Sequence, residues 1–203
     1  MQVLADGYKV IEYPTHCPVC GHKTVINNNV LYCVNKECKA RLLNHVAYMA
    51  SKSVLNIKGL SKATIEKLID KGVIKTKNDI FNVGYEDLIE LEGFGDISAN
   101  KIAEAINACK YNVDLAHFIS ACCVQNIGNE VGTILMKKFK TSDRLKESLG
   151  HYSFHSLDGI GFTTDEILNS KEFIDAYINS IEYTKNTVYK GTVVITGIII
   201  KCY

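Results

Sequence analysis

The sequence has 203 residues, which is enough for one or two compact domains and excludes a large multidomain enzyme. Apolar residues make up 47% and charged residues 22%, with only two prolines, so the chain has the composition of a folded protein and not of a disordered tail. The formal net charge of +1 means that any polyanion must be bound by a local arrangement of groups and not by a general positive field.

The chain shows no membrane-spanning or secretory pattern. No apolar run reaches the roughly 18 residues of a membrane helix. The first residues, MQVLADGYKVIEY, lack the basic head and apolar middle of a signal peptide. We therefore expect a cytoplasmic protein with no membrane partner.

The first predicted element is a metal site. Four of the eight cysteines, Cys17, Cys20, Cys33 and Cys38, lie within 22 residues as two close pairs, whereas the others are scattered. In a reducing compartment, two such pairs suit a tetrahedral zinc ion with Zn–S bonds of about 2.3 Å. Pro18, in CPVCG, favours a tight turn at the first pair, and the alternating segment TVINNNVLYC predicts a hairpin that returns the second pair.

We expect this zinc to be structural, because four sulfurs fill the tetrahedron and leave no position for a substrate. A segment this small has little core, and zinc supplies about 10–16 kcal/mol of folding free energy in isolated finger peptides. A catalytic zinc and a redox dithiol are the alternatives. A ligand set in which His16 or His22 replaces one cysteine is also open, although surface histidines are the ordinary interpretation.

From residue 39 onward the pattern is helical and repetitive. The segments IKGLS (57–61), LEGFG (91–95), VQNIG (124–128) and LDGIG (157–161), named turns 1 to 4 below, have third residues spaced by 34, 33 and 33 positions. Apolar helical segments flank each turn, so the predicted unit is helix, hairpin turn, helix. One apolar stripe is predicted for the helix after turn 2. Its members are Ile97, Ile102, Ala105 and Ile106.

The turns predict a surface that binds phosphates. A glycine at the third position allows positive φ, and a glycine or serine at the fifth admits close approach of another surface where the next helix begins. The unpaired N–H groups and the helix dipole there attract a phosphate oxygen, by about 0.3–1 kcal/mol per dipole, so several turns must act together. Such contacts read duplex shape and hardly any base sequence.

The predicted DNA-binding residues follow from this alignment. They are Lys58, Gly59, Leu60, Ser61 and Lys62 at turn 1, Gly93, Phe94 and Gly95 at turn 2, Asn126, Ile127 and Gly128 with Lys137 and Lys138 at turn 3, and Gly159, Ile160 and Gly161 at turn 4. Turns 2 and 4 are flanked by acidic residues, namely Glu90, Glu92, Asp96, Asp158 and Asp165. For these two turns, packing and binding roles are both open.

The order of these motifs resembles the carboxy-terminal half of the bacterial-type NAD-dependent DNA ligases. The resemblance covers PTHCPVCG, CKARLL, the four hairpin blocks, and KGTVVITG, which is similar to the first strand of a BRCT domain. It implies that Cys17, Cys20, Cys33 and Cys38 bind zinc, and that this module joins an oligonucleotide-binding barrel to a helical domain that grips nicked duplex DNA in replication and repair.

The chain also departs from that family. It has no K-x-D-G motif, which carries the adenylated lysine, and too few residues for a barrel or a BRCT domain. We therefore expect that it does not seal a nick alone, and that NAD is used only through adenylation and barrel domains in cis or on a separate subunit. A fragment and one subunit of a split ligase are both consistent with this sequence.

The expected fold is mainly α, with four helix-hairpin-helix units preceded by a small four-cysteine zinc finger. The expected domains are a linker or barrel remnant (1–16), the zinc finger (17–41), a first pair of units (42–109), a second pair (110–185) and a strand-like tail (186–203). Two other functions remain in contention, a stand-alone helix-hairpin-helix module of DNA repair and a protein-interaction scaffold. Cys122 and Cys123 are read as core thiols, with a nucleophile or redox pair as the alternative.

Overall fold

The computed structural model describes residues 13–27 and 30–186. The chain divides between Leu42 and Leu43 into two compact units. Most of the predicted linker or barrel remnant and nearly all of the predicted strand-like tail lie outside the described residues.

The first unit contains a short antiparallel hairpin. Strands β1 (Thr24–Asn27) and β2 (Val30–Cys33) pair in the register Thr24 with Cys33. The β-branched residues of TVIN and the alternation in VLYC favour this pairing. The register sets Cys33 at the end of β2, next to the chain segment that carries the first cysteine pair. The predicted hairpin is confirmed.

The rest of the described chain is helical, which confirms the expected fold class. The α-helices are α1 (Lys39–Ala50), α2 (Lys62–Asp70), α3 (Tyr85–Ile89), α4 (Asp96–Asn112), α5 (Leu115–Ala121), α6 (Asn129–Phe139), α7 (Ser142–Ser148), α8 (Phe162–Leu168) and α9 (Lys171–Asn186). Two 3₁₀ helices, Lys77–Asn82 and Phe154–Ser156, complete the order. Within the described ranges, no helix is both long enough and apolar enough to cross a membrane.

Each turn connects two helical segments, as the repeat predicts. Turn 1 joins α1 to α2, turn 2 joins α3 to α4, and turn 3 joins α5 to α6. The fourth unit differs, because a three-residue 3₁₀ helix and not an α-helix precedes its turn. α7 ends at Ser148, and Gly150 at φ +84° redirects the chain in the left-handed region that an α-helix cannot continue through.

The core of the second pair of helix-hairpin-helix units, predicted at residues 110–185, is made of aromatic and aliphatic side chains. Phe154, Phe173 and Tyr177 are fully buried, and the Tyr177 hydroxyl donates to the carbonyl of Ser142 at 3.1 Å. α5 and α6 pack in direct backbone contact, since a Cβ added at Gly132 would lie 2.5 Å from the carbonyl oxygen of Ala116. Close helix packing is therefore the reason for glycine in the middle of α6.

The predicted apolar stripe of α4 was wrong at Ile97. This side chain is 73% exposed, whereas Ala99, Ile102 and Ile106 are buried. Five residues separate positions 97 and 102, which on an α-helix is a rotation of about 140° away from the same face. The buried face uses spacings of three and four and leaves Ile97 on the solvent side.

Candidate metal centre and nucleic-acid interface

The four predicted metal ligands lie together. The sulfurs of Cys17, Cys20, Cys33 and Cys38 all lie within 4.8 Å of one another. Cys17 and Cys38 are 3.8 Å apart at their sulfurs, and Cys20 and Cys33 are 3.4 Å apart. Zinc with Zn–S bonds of about 2.3 Å requires S–S edges of about 3.8 Å in a regular tetrahedron. These separations fit a tetrahedral metal site, and all four described thiols are free of disulfides.

Backbone hydrogen bonds around the first cysteine pair hold this geometry. The N–H of Cys17 donates to the carbonyl of His22 at 2.7 Å, and the N–H of Gly21 donates to the carbonyl of Cys17 at 2.9 Å. Gly21 adopts φ +70°, so the glycine of CPVCG is required by the left-handed turn. The turn directs two sulfurs toward one point, as the sequence predicts.

The two neighbouring histidines face other groups. His22 Nδ1 lies 3.1 Å from the carbonyl oxygen of Cys20, and His16 Nδ1 lies 3.0 Å from the hydroxyl of Thr15. Within residues 13–27 and 30–186, the ligand cluster contains the four cysteines and no histidine. The alternative ligand set with a histidine is therefore not supported by the geometry.

Protonation of the cluster is uneven. A hydrogen bond from the backbone of His22 lowers the pKa of the Cys20 thiol to about 6. Burial raises the pKa of the Cys33 thiol to about 12. The pKa values of these two thiols therefore shift in opposite directions, and because protons compete with a metal ion for every sulfur, metal affinity falls as the pH falls.

The four turns share one backbone geometry. Their third residues all have positive φ, at +87° for Gly59, +86° for Gly93, +65° for Asn126 and +87° for Gly159. In each turn the N–H of the fourth residue donates to the carbonyl of the first. The distances are 3.4 Å for Leu60 to Ile57 and 3.1 Å for Phe94 to Leu91, Ile127 to Val124, and Ile160 to Leu157. Asn126 takes the place of glycine because asparagine tolerates the left-handed region.

The turns are anchored by the fourth residue and exposed at the third. Leu60, Ile127 and Ile160 are buried and Phe94 is half-buried, so these four predicted residues pack inward. The third and fifth residues are exposed, except for the half-buried Gly128. They are Gly59, Ser61, Gly93, Gly95, Asn126, Gly128, Gly159 and Gly161. The predicted binding positions therefore separate into inward anchors and an outward backbone.

The glycines at the fifth position have no internal reason to be glycine. Gly95, Gly128 and Gly161 have φ of −119°, −114° and −84°, which any residue adopts. Nothing lies within 4 Å of a Cβ added at any of them. Each begins a helix, where a serine or aspartate would cap better, as Ser61 does for Thr64 at 3.1 Å. The fold leaves open space at three places where another surface can approach the backbone.

Turns 1 and 4 each pack on a helix of a neighbouring helix-hairpin-helix unit. A Cβ at Gly59 would lie 3.1 Å from Ile102 of α4, so turn 1 packs on the second helix of the next unit. A Cβ at Gly159 would lie 2.9 Å from Ile134 of α6, so turn 4 packs on the second helix of the preceding unit. For turns 1 and 4, then, glycine at the third position serves both positive φ and close packing.

The comparisons with known proteins identify relatives along almost the whole chain. A DNA ligase of Clostridium novyi (strain NT) is 34% identical over 208 residues, covering 95% of this chain and 31% of that protein. A DNA ligase of Campylobacter concisus (strain 13826) is 32% identical over 205 residues, covering 95% and 31%. A DNA ligase of Campylobacter curvus (strain 525.92) is 34% identical over 193 residues, covering 91% and 29%. No protein-family model matches the chain.

The chain is homologous to the carboxy-terminal part of DNA ligases. It spans about a third of the length of these relatives, 31% for the first two. This homology supports a ligase-related role, and the four-cysteine cluster fits a zinc finger at the place where the sequence predicts one.

The predicted basic residues of this ligase homologue are mostly exposed. Lys58 lies at turn 1, and the Lys62 ammonium donates to the side-chain oxygen of Asn44 at 2.8 Å. Lys137 and Lys138 are exposed at the end of α6, and the Lys138 ammonium lies 6.0 Å from the centre of the Tyr152 ring. Of these four, Lys58 and Lys137 show no contact that would hold them away from a polyanion in the described part of the chain.

Two lysines that were not among the predicted residues lie near the acidic turn 2. The Lys67 ammonium donates to the carbonyl of Glu92 at 2.9 Å, and the Lys71 ammonium donates to the carbonyl and carboxylate of Glu90 at 3.0 and 3.3 Å. Lys67 and Lys71 are four residues apart on α2, a spacing that marks one helix face. That spacing was visible in the sequence, but the fold alone shows that this face meets turn 2.

The acidic residue Asp165 near turn 4 has a structural role. Its carboxylate accepts from the N–H of Phe154 and the amide of Asn169, both at 2.9 Å, and pairs with His155. Burial alone would raise the pKa of Asp165, but the hydrogen bonds with His155 and Phe154 hold the pKa below its usual range. Asp165 thus ties the 3₁₀ helix before turn 4 to α8.

Cys122 is an interior residue, and Cys123 beside it is half-buried. Cys122 is 1% exposed, and burial raises the pKa of its thiol to about 12. Burial also raises the pKa of Cys123 to about 11, and its sulfur lies 3.7 Å from the carbonyl oxygen of His45. Thiols with raised pKa in an apolar environment are poor nucleophiles, which favours the core interpretation.

Proposed function

We propose that this chain is the duplex-binding portion of an NAD-dependent DNA ligase. It grips nicked DNA independently of base sequence, so that other ligase domains seal the nick in replication and repair. The single observation that carries this proposal is the open space at the glycines of the fifth position, which neither backbone conformation nor internal packing explains. The ligase homology supplies the context in which a sugar-phosphate backbone is the approaching surface.

The turns suit phosphate binding by their main chain. Gly128 is the N-cap residue of α6, an eleven-residue helix, and gives its first N–H groups no side-chain cap. Unpaired N–H groups at a helix start attract anions through hydrogen bonds and the helix dipole. A missing side chain lets a phosphate oxygen come within hydrogen-bond distance of those groups. The formal charge of +1 is no obstacle, because the donors are backbone dipoles and a few local lysines.

The four cysteines would hold a structural zinc. They account for all positions of a tetrahedral ion, so zinc would stabilise the first unit and take no part in bond making. NAD chemistry and the lysine that becomes adenylated would come from adenylation and barrel domains, in cis or on a separate subunit. The residues of this chain would contribute DNA grip and orientation.

A matched pair of variants at turn 3 tests the proposal. Gly128→Ser and Gly128→Asp both provide a good helix cap, and an added Cβ meets nothing within 4 Å, so both variants are expected to fold. The serine adds only a small neutral hydroxyl, as at Ser61 of turn 1, so retention of a nicked duplex should fall by less than about twofold. The aspartate carboxylate occupies the N–H groups and repels phosphate, so retention of a nicked duplex falls by about tenfold.

The measurement is a titration of labelled nicked duplex at several salt concentrations. Phosphate contacts by Lys58 and Lys137, the two predicted lysines that no internal contact holds, predict that log K falls with log salt at a slope of about −1.8. If Gly128→Asp binds as well as Gly128→Ser, the proposed role of the turns is wrong. Binding that is absent or insensitive to salt in the parent chain favours a protein-interaction scaffold instead.

A complementation assay separates the ligase role from a stand-alone repair module. Purified adenylation and barrel domains of a related ligase are mixed with this chain and a nicked duplex. The ligase role predicts that nick sealing increases when the chain is added and that Gly128→Asp reduces the gain. A repair module predicts duplex or junction binding with no gain in sealing.

A further inference from the structure

Turn 2 is held by a side chain from the neighbouring unit. The ammonium of Lys67, in α2, donates to the carbonyl of Glu92 at 2.9 Å. Glu92 and Gly93 form the central peptide of this turn, so Lys67 bonds the one carbonyl whose orientation defines the turn.

The geometry of this peptide links Lys67 to the outward amide. The described chain contains no cis peptide bond, so the carbonyl of Glu92 and the N–H of Gly93 point in opposite directions. A cation on the carbonyl oxygen therefore fixes the N–H on the other side of the peptide. It also withdraws electron density through the conjugated amide and strengthens that N–H as a donor.

Gly93 is the open donor of turn 2. The N–H of Gly95 already donates to the Ser98 hydroxyl at 3.1 Å, and the N–H of Phe94 closes the turn on Leu91 at 3.1 Å. Gly93 is exposed, and no acceptor for its N–H is found among the described residues. Turn 2 thus presents one free amide, and Lys67 acts on the peptide that carries it.

We propose that Lys67 is a positioning residue for DNA binding, which pins the Glu92–Gly93 peptide from the adjacent unit so that the Gly93 N–H meets a phosphate. This inference rests on the proposed function. It gives the acidic turn 2 a binding role, because the lysine offsets the negative environment while staying on the face away from the phosphate.

Three substitutions test this role. Lys67→Met keeps the length of the side chain without a donor, and Lys67→Arg keeps both charge and donor. Lys71→Met is the matched control on the same helix face, since Lys71 contacts Glu90 outside turn 2. We expect Lys67→Met to weaken binding of nicked duplex by about threefold to tenfold, Lys67→Arg to restore it, and Lys71→Met to change it by less than about twofold.

Salt dependence separates positioning from direct contact. A lysine that touches a phosphate contributes about one unit to the slope of log K against log salt, whereas a positioning lysine leaves the slope unchanged. A loss of about one unit in Lys67→Met would show direct phosphate contact and overturn the proposal. Unchanged DNA affinity, with only a lower melting temperature, would show a purely structural crosslink and also overturn it.

The amide of Gly93 gives a readout that does not depend on DNA. In the free protein, loss of the ammonium from the Glu92 carbonyl is expected to shift the Gly93 amide proton resonance upfield in Lys67→Met and not in Lys71→Met. An unshifted Gly93 resonance would contradict the proposal. If Lys67→Met shows the expected shift but the parent chain fails to bind duplex, the proposed function is wrong while the positioning geometry stands.

Discussion

The two units of this chain are stabilised by different means. In the first unit, Val25, Ile26 and Val30 of the hairpin are each about half exposed, at 48%, 53% and 50%, while Cys38 is 1% exposed. Its interior is made of sulfur and not of hydrocarbon. In the second unit, Ile119 and Phe154 are fully buried within a continuous apolar core. We therefore expect metal coordination to replace apolar burial where the segment is too short to enclose a core.

The largest expected effect is removal of the metal from the first unit. Chelation, or Cys38→Ala, should unfold the hairpin, because zinc coordination is worth about 10–16 kcal/mol in small finger peptides. The helical unit should remain folded, since its core does not use these ligands. Amide exchange measured separately in the two units checks both statements. Loss of protection throughout the helical unit would show that its stability also depends on the metal.

The converse substitution tests the helical unit. Gly132→Val places a side chain where the backbone of Ala116 lies 2.5 Å from the Cβ position, so α5 and α6 must separate. We expect a loss of several kcal/mol in the free energy of unfolding. Gly21→Val, which would strain the positive φ of the cysteine turn, serves as the contrasting change in the first unit. Stoichiometric zinc binding, followed with a chromophoric chelator, should be retained in Gly132→Val and lost in Gly21→Val.

Asp165→Ala is expected to cost the helical unit about 1–3 kcal/mol, because the buried N–H of Phe154 loses its acceptor. The pKa of Asp165 lies below its unfolded value, so its contribution is present above about pH 4 and is lost as the pH falls through the folded pKa. Denaturant unfolding at pH 7 and pH 3 checks this sign. A difference between wild type and variant that grows toward acid would contradict it.

Metal binding to the first unit should weaken toward acid for a separate reason. Protons compete with the metal for the cysteine sulfurs, among which burial raises the pKa of Cys33 to about 12. We expect the apparent zinc affinity to fall steadily as the pH is lowered from about 8 to about 5. Zinc affinity that does not change with pH would mean that the bound thiols are already deprotonated in the metal-free state.

The smallest expected effect concerns turn 3. Asn126 adopts φ +65°, and an alanine there would adopt a left-handed conformation at a cost of about 1 kcal/mol. Asn126→Gly should change the free energy of unfolding by less than about 0.5 kcal/mol, because glycine relieves the strain but gains freedom in the unfolded chain. Thermal unfolding of Asn126→Ala and Asn126→Gly provides the comparison. Equal stability of both would show that the turn relaxes away from positive φ.

Local features of the sequence correctly predicted that the four cysteines lie together and that the turns share one backbone geometry. The cysteine spacing and Gly21 act over a few residues, and so does the need for positive φ at Gly59 or Asn126. Helical periodicity did not predict that Ile97 is exposed, because the burial of this side chain depends on which face of α4 packs against the neighbouring helices. The sequence also did not predict the short 3₁₀ helix that replaces an α-helix before turn 4, since this replacement depends on the turn at Gly150.

By itself, the sequence determined what short-range chemistry can determine, namely a four-sulfur cluster, a hairpin between its halves and four turns of one geometry. Only the tertiary structure decided which glycines face open space, which acids are tied up in the fold and which lysine meets which turn. The physical reason is distance along the chain. Lys67 and Glu92 are 25 positions apart, so their contact follows from the packing of two neighbouring helix-hairpin-helix units and from no local pattern.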